Sequence, residues 1–211
     1  MKLYGSTRSP FSRKVLVAAR ELELLERLEF IPVVVSQTQT DPKLAQVHPL
    51  GQIPALLLDD GRLIHDSLVI CEFLDRLAGG ALIPREGDAR WDVLSKHALG
   101  QGLLETLVKL FGERKRVADP LQPLYSEAFT RKFFRALPTL DTQYRRLANS
   151  FDVGDIAVCC ALSYADFRFP QQDWRQAHPA LAAYYEKVAQ RPSMQATRFV
   201  GDPTPTPALQ P

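Results

Sequence analysis

Three short segments carry side chains that could act on a ligand. The first is Ser9-Pro10-Phe11-Ser12. It stands where an apolar start at Lys2–Tyr4, broken over Gly5–Pro10, gives way to apolar residues at helical spacing: Val15, Leu16, Ala18, Ala19 and Leu22. A side chain at such a junction sits beside unpaired helix N–H groups and the positive end of the helix dipole, which favours an anion. A redox enzyme of this layout would carry Cys-x-x-Cys there, because a helix N-terminus lowers a thiol pKa. Both positions are serine, which excludes dithiol chemistry but lets a hydroxyl donate to a ligand's thiolate. Capping of the helix by Ser9 or Ser12 accounts for one serine, not for two flanking a Pro-aromatic pair.

The second segment is Gln52-Ile53-Pro54-Ala55, at the entry to a strand. Two readings of Pro54 stand. A cis bond would turn the Ile53 backbone toward a ligand, ready to pair with a peptide as an added strand. Alternatively, Pro54 is an edge-strand proline that only removes a ladder donor. The third segment is Asp66-Ser67, before an amphipathic run of Leu68, Val69, Ile70, Phe73, Leu74 and Leu77. Asp-Ser there is an N-cap, or it presents a carboxylate, a hydroxyl and backbone N–H groups to the zwitterionic end of an amino acid.

The elements that must position these segments follow from the pattern. Phe30–Val35 is predicted as a strand, Pro42–Val47 as a short helical turn, and Ile53–Leu58 with Leu63–His65 as a hairpin around Asp59-Asp60-Gly61-Arg62. The order β-α-β-α-β-β-α implies a mixed four-stranded sheet with helices packed on it. After Gly79-Gly80 the strand signals stop. Four helices are predicted, over Ala89–Arg116, Pro123–Asn149, Val153–Phe167 and Pro179–Gln190. The expected division is an α/β domain over 1–80, a linker over 81–87, an all-helical domain over 88–201 and a proline-rich tail over 202–211.

Composition narrows the function. The 211 residues hold 26 basic and 24 acidic side chains, a net charge of +2 that marks neither a nucleic-acid partner nor a membrane surface. No stretch is apolar enough to span a bilayer, and the N-terminus lacks the apolar core of a signal peptide. Cys71, Cys159 and Cys160 are an odd count in apolar helical patterns, read as buried free thiols rather than a disulfide framework or a metal site. A cytoplasmic location is expected, with no metal. Glu113-Arg114-Lys115-Arg116 reads as a solvated helix end.

Taken together, SPFSRKV, HPLGQIPAL (48–56) and the Asp66-Ser67 helix start resemble the glutathione S-transferase superfamily. The resemblance continues in FDVGDIAVCCAL (151–162), similar to that family's capping-box helix with Asp152 and Asp155 as the reciprocal pair, and in HPALAAYYEKVAQRPSM (178–194). SYADFRFP (163–170) is similar to a bacterial serine-type branch. The resemblance implies a thioredoxin-like N-terminal domain, an all-helical C-terminal domain, glutathione as cosubstrate and a homodimer. By residue, it implies Ser9 as the hydroxyl on the glutathione sulfur, with Ser6, Ser12 and Phe11 as alternates and Tyr4 as a rival hydroxyl expected in the core. Asp66 and Ser67 would take the γ-glutamyl amine and carboxylate, Ile53 before a cis Pro54 would pair with the cysteinyl backbone, and Gln52 would help hold the tripeptide. Lys43 and His48 would face the glycyl carboxylate, while His65 and His97 are structural. The implied activity is transfer of glutathione to a small alkyl or aryl electrophile. The alternatives are a noncatalytic interaction or stress module, and a glutathione-dependent isomerase or dehalogenase.

Overall fold

A computed structural model describes residues 1–36, 38–116, 118–145 and 151–201. Strand β1 (Lys2–Gly5) turns into helix α1 (Pro10–Glu21), which Ser9 caps through a bond from the Ser12 N–H, with Pro10 in the first turn where its missing N–H is harmless. A 3₁₀ turn at Leu25–Arg27 leads to β2 (Glu29–Pro32), followed by the short α2 (Pro42–Ala45), β3 (Ala55–Leu57), β4 (Leu63–His65) and α3 (Ser67–Leu77). The sheet order is β2-β1-β3-β4, with β1 and β2 parallel and the other pairings antiparallel. This is the mixed four-stranded sheet expected.

The second strand is shorter than the apolar run suggests. The sheet stops at Pro32, which lies opposite Gly5, the last residue of β1. Val33 is still buried, in a small cluster with Tyr4, Leu44 and Ala55, but Val34 is 67% exposed. Tyr4 is therefore a core residue, as expected of a position inside a strand.

Four long helices follow: α4 (Asp88–Glu113), α5 (Gln122–Tyr144), α6 (Val153–Arg168) and α7 (Pro179–Ala189), with a fifth short one, α8 (Pro192–Ala196), that the pattern did not reveal. The stretch predicted over 146–149 and the proline-rich tail lie outside the described residues. Helix α6 is the axis of this half. Twelve of its sixteen residues are buried, so it is apolar on every face and must be surrounded. Its capping box is complete: Asp152 Oδ1 accepts from the N–H groups of Gly154 and Asp155, and Asp155 Oδ2 accepts from the Asp152 N–H at 3.0 Å. Gly100 lets α4 approach it closely, since a Cβ there would stand 2.7 Å from the Val158 nitrogen.

The junction between the halves is pinned rather than loose. Asp75, fully buried in α3, accepts from the N–H groups of Ala81 (2.7 Å), Leu82 (2.7 Å) and Ile83 (3.3 Å). Helix α1 meets the helical half directly. Arg13 donates to Ser163 Oγ, to the Met194 carbonyl (3.1 Å) and to Thr197 Oγ1 (3.4 Å), while Glu21 pairs with Arg191 and accepts from Ser193. All three cysteines are free and buried, and burial pushes the Cys71 thiol up to about 12, so none is a reactive thiolate. No helix among the described residues is long and apolar enough to cross a membrane.

Candidate functional site

Sheet register brings the three segments together. Tyr4 lies opposite Ala55, and Ala55 lies opposite His65, so these residues form one row across β1, β3 and β4. The loop to Ser9 leaves β1 just beyond that row. Ile53-Pro54 arrives at it immediately before Ala55, and Asp66-Ser67 departs from it immediately after His65. All three segments therefore occupy one end of the sheet, with the N-termini of α1 and α3 and their inward-directed N–H groups.

Ser9 is half-buried in extended backbone (φ −86°, ψ 123°). Its Oγ accepts from the Ser12 N–H at 3.2 Å. Capping uses the oxygen as an acceptor and leaves the hydroxyl hydrogen to donate elsewhere. The alternates are placed differently. Ser12 is fully buried and its Oγ accepts from the Ser6 N–H, while the Ser6 hydroxyl accepts from the Arg8 N–H. Phe11 packs against the main core.

The peptide bond between Ile53 and Pro54 is cis. The bond thus has the form that the first reading requires, and β3 lies between β1 and β4, so Pro54 does not lead into an edge strand. Gly51, just upstream, adopts φ +57°, and a Cβ there would collide with Thr40 at 2.1 Å, so the turn presenting Gln52 requires glycine. Gln52 is exposed and Ile53 half-buried. Asp66 caps α3 through Oδ1, which accepts from the Leu68 N–H at 2.6 Å, yet the residue itself is exposed with φ +21°. Positive φ is strained for a non-glycine residue, and such strain concentrates where a side chain is held for a ligand. Ser67 beside it is buried.

Lys43 is exposed on α2, which Asp41 caps. His48 is buried rather than presented. Its Nδ1 accepts from the Leu50 N–H at 3.0 Å, and its ring lies edge-on to that of His65 with centres 4.6 Å apart. Burial and then the neighbouring His65 lower its pKa, which disfavours a positive charge on the ring.

Two polar networks escaped sequence reasoning. Lys14 on α1 reaches across to α4, where its Nζ meets His97 Nε2 at 2.8 Å and Gln101 Oε1 at 2.7 Å. The one available signal was a charged residue three positions after Phe11 and four before Ala18, on the face that should be apolar. His97, without a visible partner in the sequence, finds it there. In the second network Lys96 of α4 pairs with both members of the capping box, Asp152 and Asp155, each at 2.8 Å. Facing α1 from the helical half is an aromatic group of Tyr164, Phe167 and Phe199, with the Arg13 guanidinium 4.6 Å from the Phe199 ring centre. Among the described residues no cluster of His, Cys, Asp or Glu could hold a metal ion.

Known proteins share this arrangement. Residues 8–77 match the family model of the glutathione S-transferase N-terminal domain, and residues 122–187 match that of the C-terminal domain. A glutathione transferase family member from Pseudomonas fluorescens Pf-5, solved with bound glutathione, is 41% identical, with a TM-score of 0.88 over 93% of this chain and 98% of that one. A glutathione S-transferase from Methylobacillus flagellatus, solved with glutathione bound, is 34% identical, with a TM-score of 0.82 over 94% and 99%. Among curated sequences, the uncharacterized GST-like protein YibF of Escherichia coli K12 is 28% identical over 93% of this chain and 98% of its own. With its thioredoxin-like sheet domain, its helical domain and both domain signatures, this chain belongs to the glutathione S-transferase family.

Proposed function

We propose that the protein is a cytoplasmic glutathione transferase that ionises the glutathione thiol at Ser9 and directs it at a small alkyl or aryl electrophile. The observation that carries this reading is the shared end of the sheet, where Ser9, Ile53-Pro54 and Asp66-Ser67 converge on one row of residues. The relatives that hold glutathione support it.

In this reading Ile53 pairs through its backbone with the cysteinyl unit, and Gln52 steadies the peptide. Asp66 takes the γ-glutamyl amine, and Ser67 with the α3 N-terminus takes its carboxylate. Lys43 faces the glycyl carboxylate, with His48 supporting the loop from beneath. Ser9 donates to the sulfur. A free thiol has a pKa near 8.5, and lowering it by about two units needs roughly 2.7 kcal/mol of differential stabilisation. A charge-assisted hydrogen bond of about 1.5–3 kcal/mol plus a helix-end contribution of about 0.3–1 kcal/mol supplies that. The thiolate then forms the new C–S bond as the electrophile gives up its leaving group. The domain division at residues 1–80 and 88–201 belongs to this reading, with the loop after Tyr4 and the long helix α4 as the walls facing the electrophile.

The same reading takes the protein as a homodimer. An open surface groove of about 430 Å³ beside β4 and α3, lined by Leu63, Ile64, Val69 and Phe73 together with His65, Glu72 and Arg76, supports it on one half. On the other half, Trp91, Leu124 and Tyr125 are exposed on α4 and α5.

Binding is checked by thermal unfolding. A ligand at about 100 times its Kd stabilises the folded state by about 2.7 kcal/mol, which raises the Tm of a chain this size by roughly 5–10 °C. Millimolar glutathione should produce a rise of that kind, and the same samples should sediment with the mass of two chains. An unchanged Tm rules out the enzyme reading; a single-chain mass rules out the dimer.

A further inference from the structure

Lys14 is the least expected side chain in the core. It is completely buried, and its two nearest polar partners, His97 and Gln101, are neutral acceptors. Among the described residues no carboxylate lies within ion-pair distance of it. The groups that face it from the surrounding elements are Cys71 and Asp66 of the α3 region, Cys160 of α6 and Glu105 of α4, all acting at longer range. Burial and then the Lys14 charge push His97 down to about 3, so this ring is an acceptor throughout the physiological range. Burial also pulls the Lys14 ammonium below its usual range.

Stability does not account for such a group. A buried ammonium facing neutral acceptors carries a desolvation penalty that apolar side chains of the same volume would avoid. Its place in the fold does point somewhere. Lys14 lies five residues along the helix that Ser9 caps, about 7.5 Å further down its axis, and within electrostatic reach of Asp66 at the start of α3. Lys14 therefore places one positive charge on the helix whose N-terminus Ser9 caps, held against α4 and within electrostatic reach of Asp66.

We propose that Lys14, held by His97 and Gln101 across the domain junction, is a positioning residue whose charge lowers the pKa of the glutathione thiol at Ser9. The proposal rests on the glutathione reading above. It makes the helical half a participant in thiol ionisation, since α4 supplies both groups that hold the charge. As a general scale, a unit charge at a separation of about 10 Å and an effective dielectric constant near 20 shifts a pKa by about one unit.

The test follows the ultraviolet absorbance of bound glutathione thiolate against pH, in the parent protein and in Lys14→Met. The thiol pKa should rise by about one unit in the variant. Affinity for S-methylglutathione, which has no ionisable thiol, should stay unchanged. A variant that binds S-methylglutathione normally and keeps the parent thiol pKa overturns the proposal. Should Lys14→Met not fold, Gln101→Leu takes its place, because it removes one of the two acceptors that hold the ammonium. A raised thiol pKa then supports the proposal and an unchanged one overturns it. A parent protein that fails to bind S-methylglutathione overturns the glutathione reading itself, a result distinct from a normal binder with an unmoved pKa.

Discussion

Replacing Ser9 by Ala is expected to lower kcat/KM for glutathione conjugation roughly 10- to 150-fold near neutral pH, the loss that follows from a charge-assisted hydrogen bond of about 1.5–3 kcal/mol. The size of the effect depends on pH in a defined direction. The lost bond favours the ionised thiol, so the acidic limb of the pH profile should move up by about one to two units. On the alkaline side glutathione ionises unaided, and there the two proteins should converge. Ser9 also caps α1, so the variant should lose about 1 kcal/mol of stability without losing its fold. A loss of rate that is uniform across pH would assign Ser9 to capping alone. An acidic limb that does not move would return the role to Ser6, since Ser12 is sealed in the core.

The second large effect lies far from the sulfur. Asp155 is fully buried, and its partners include Lys96 Nζ at 2.8 Å, the Tyr144 hydroxyl at 2.8 Å, the Asp152 N–H at 3.0 Å and the Tyr184 side chain. Asp155→Ala leaves a buried ammonium with one carboxylate instead of two, and strands a buried hydroxyl. Breaking a buried pair from one side costs about 3–5 kcal/mol, a large part of the 5–15 kcal/mol that holds a typical domain. Denaturant unfolding should therefore show a markedly lower midpoint, with partial recovery in Asp155→Asn, which keeps hydrogen-bonding atoms in place. A change below about 1 kcal/mol would place the variant among ordinary surface substitutions and contradict the network. The consequence for the site is indirect. Helix α6 carries Ser163, the partner of Arg13, and so helps hold α1 against the helical half.

Local chemistry in this chain was legible from the residues, and long-range chemistry was not. The Ser9 cap and the Asp152–Asp155 box depend on bonds over three residues, so the pattern that predicts them is contained in a single short segment. The hairpin at Asp59–Arg62 and the start of α3 at Asp66-Ser67 are of the same kind. The length of β2 was misjudged because strand propensity cannot count partners. Val33, Val34 and Val35 are good strand formers, but β1 ends at Gly5, whose carbonyl accepts from the Val33 N–H at 2.9 Å and is the last β1 group within reach. His48 was matched to the glycyl carboxylate by family resemblance, and its burial against the ring of His65, a residue seventeen positions on, is a long-range packing that no local pattern shows. Lys14 and His97 are 83 residues apart, and Lys96 stands 56 residues from Asp152. No local pattern links such pairs. Only the odd presence of lysine on an apolar helix face hinted at the first.

The central claim is that this protein binds glutathione and holds it ionised. The most direct measurement is the pH titration of the thiolate absorbance of glutathione bound to the unmodified protein. The account predicts an apparent pKa about two units below the free-thiol value near 8.5. A bound glutathione that titrates with the free value would contradict it.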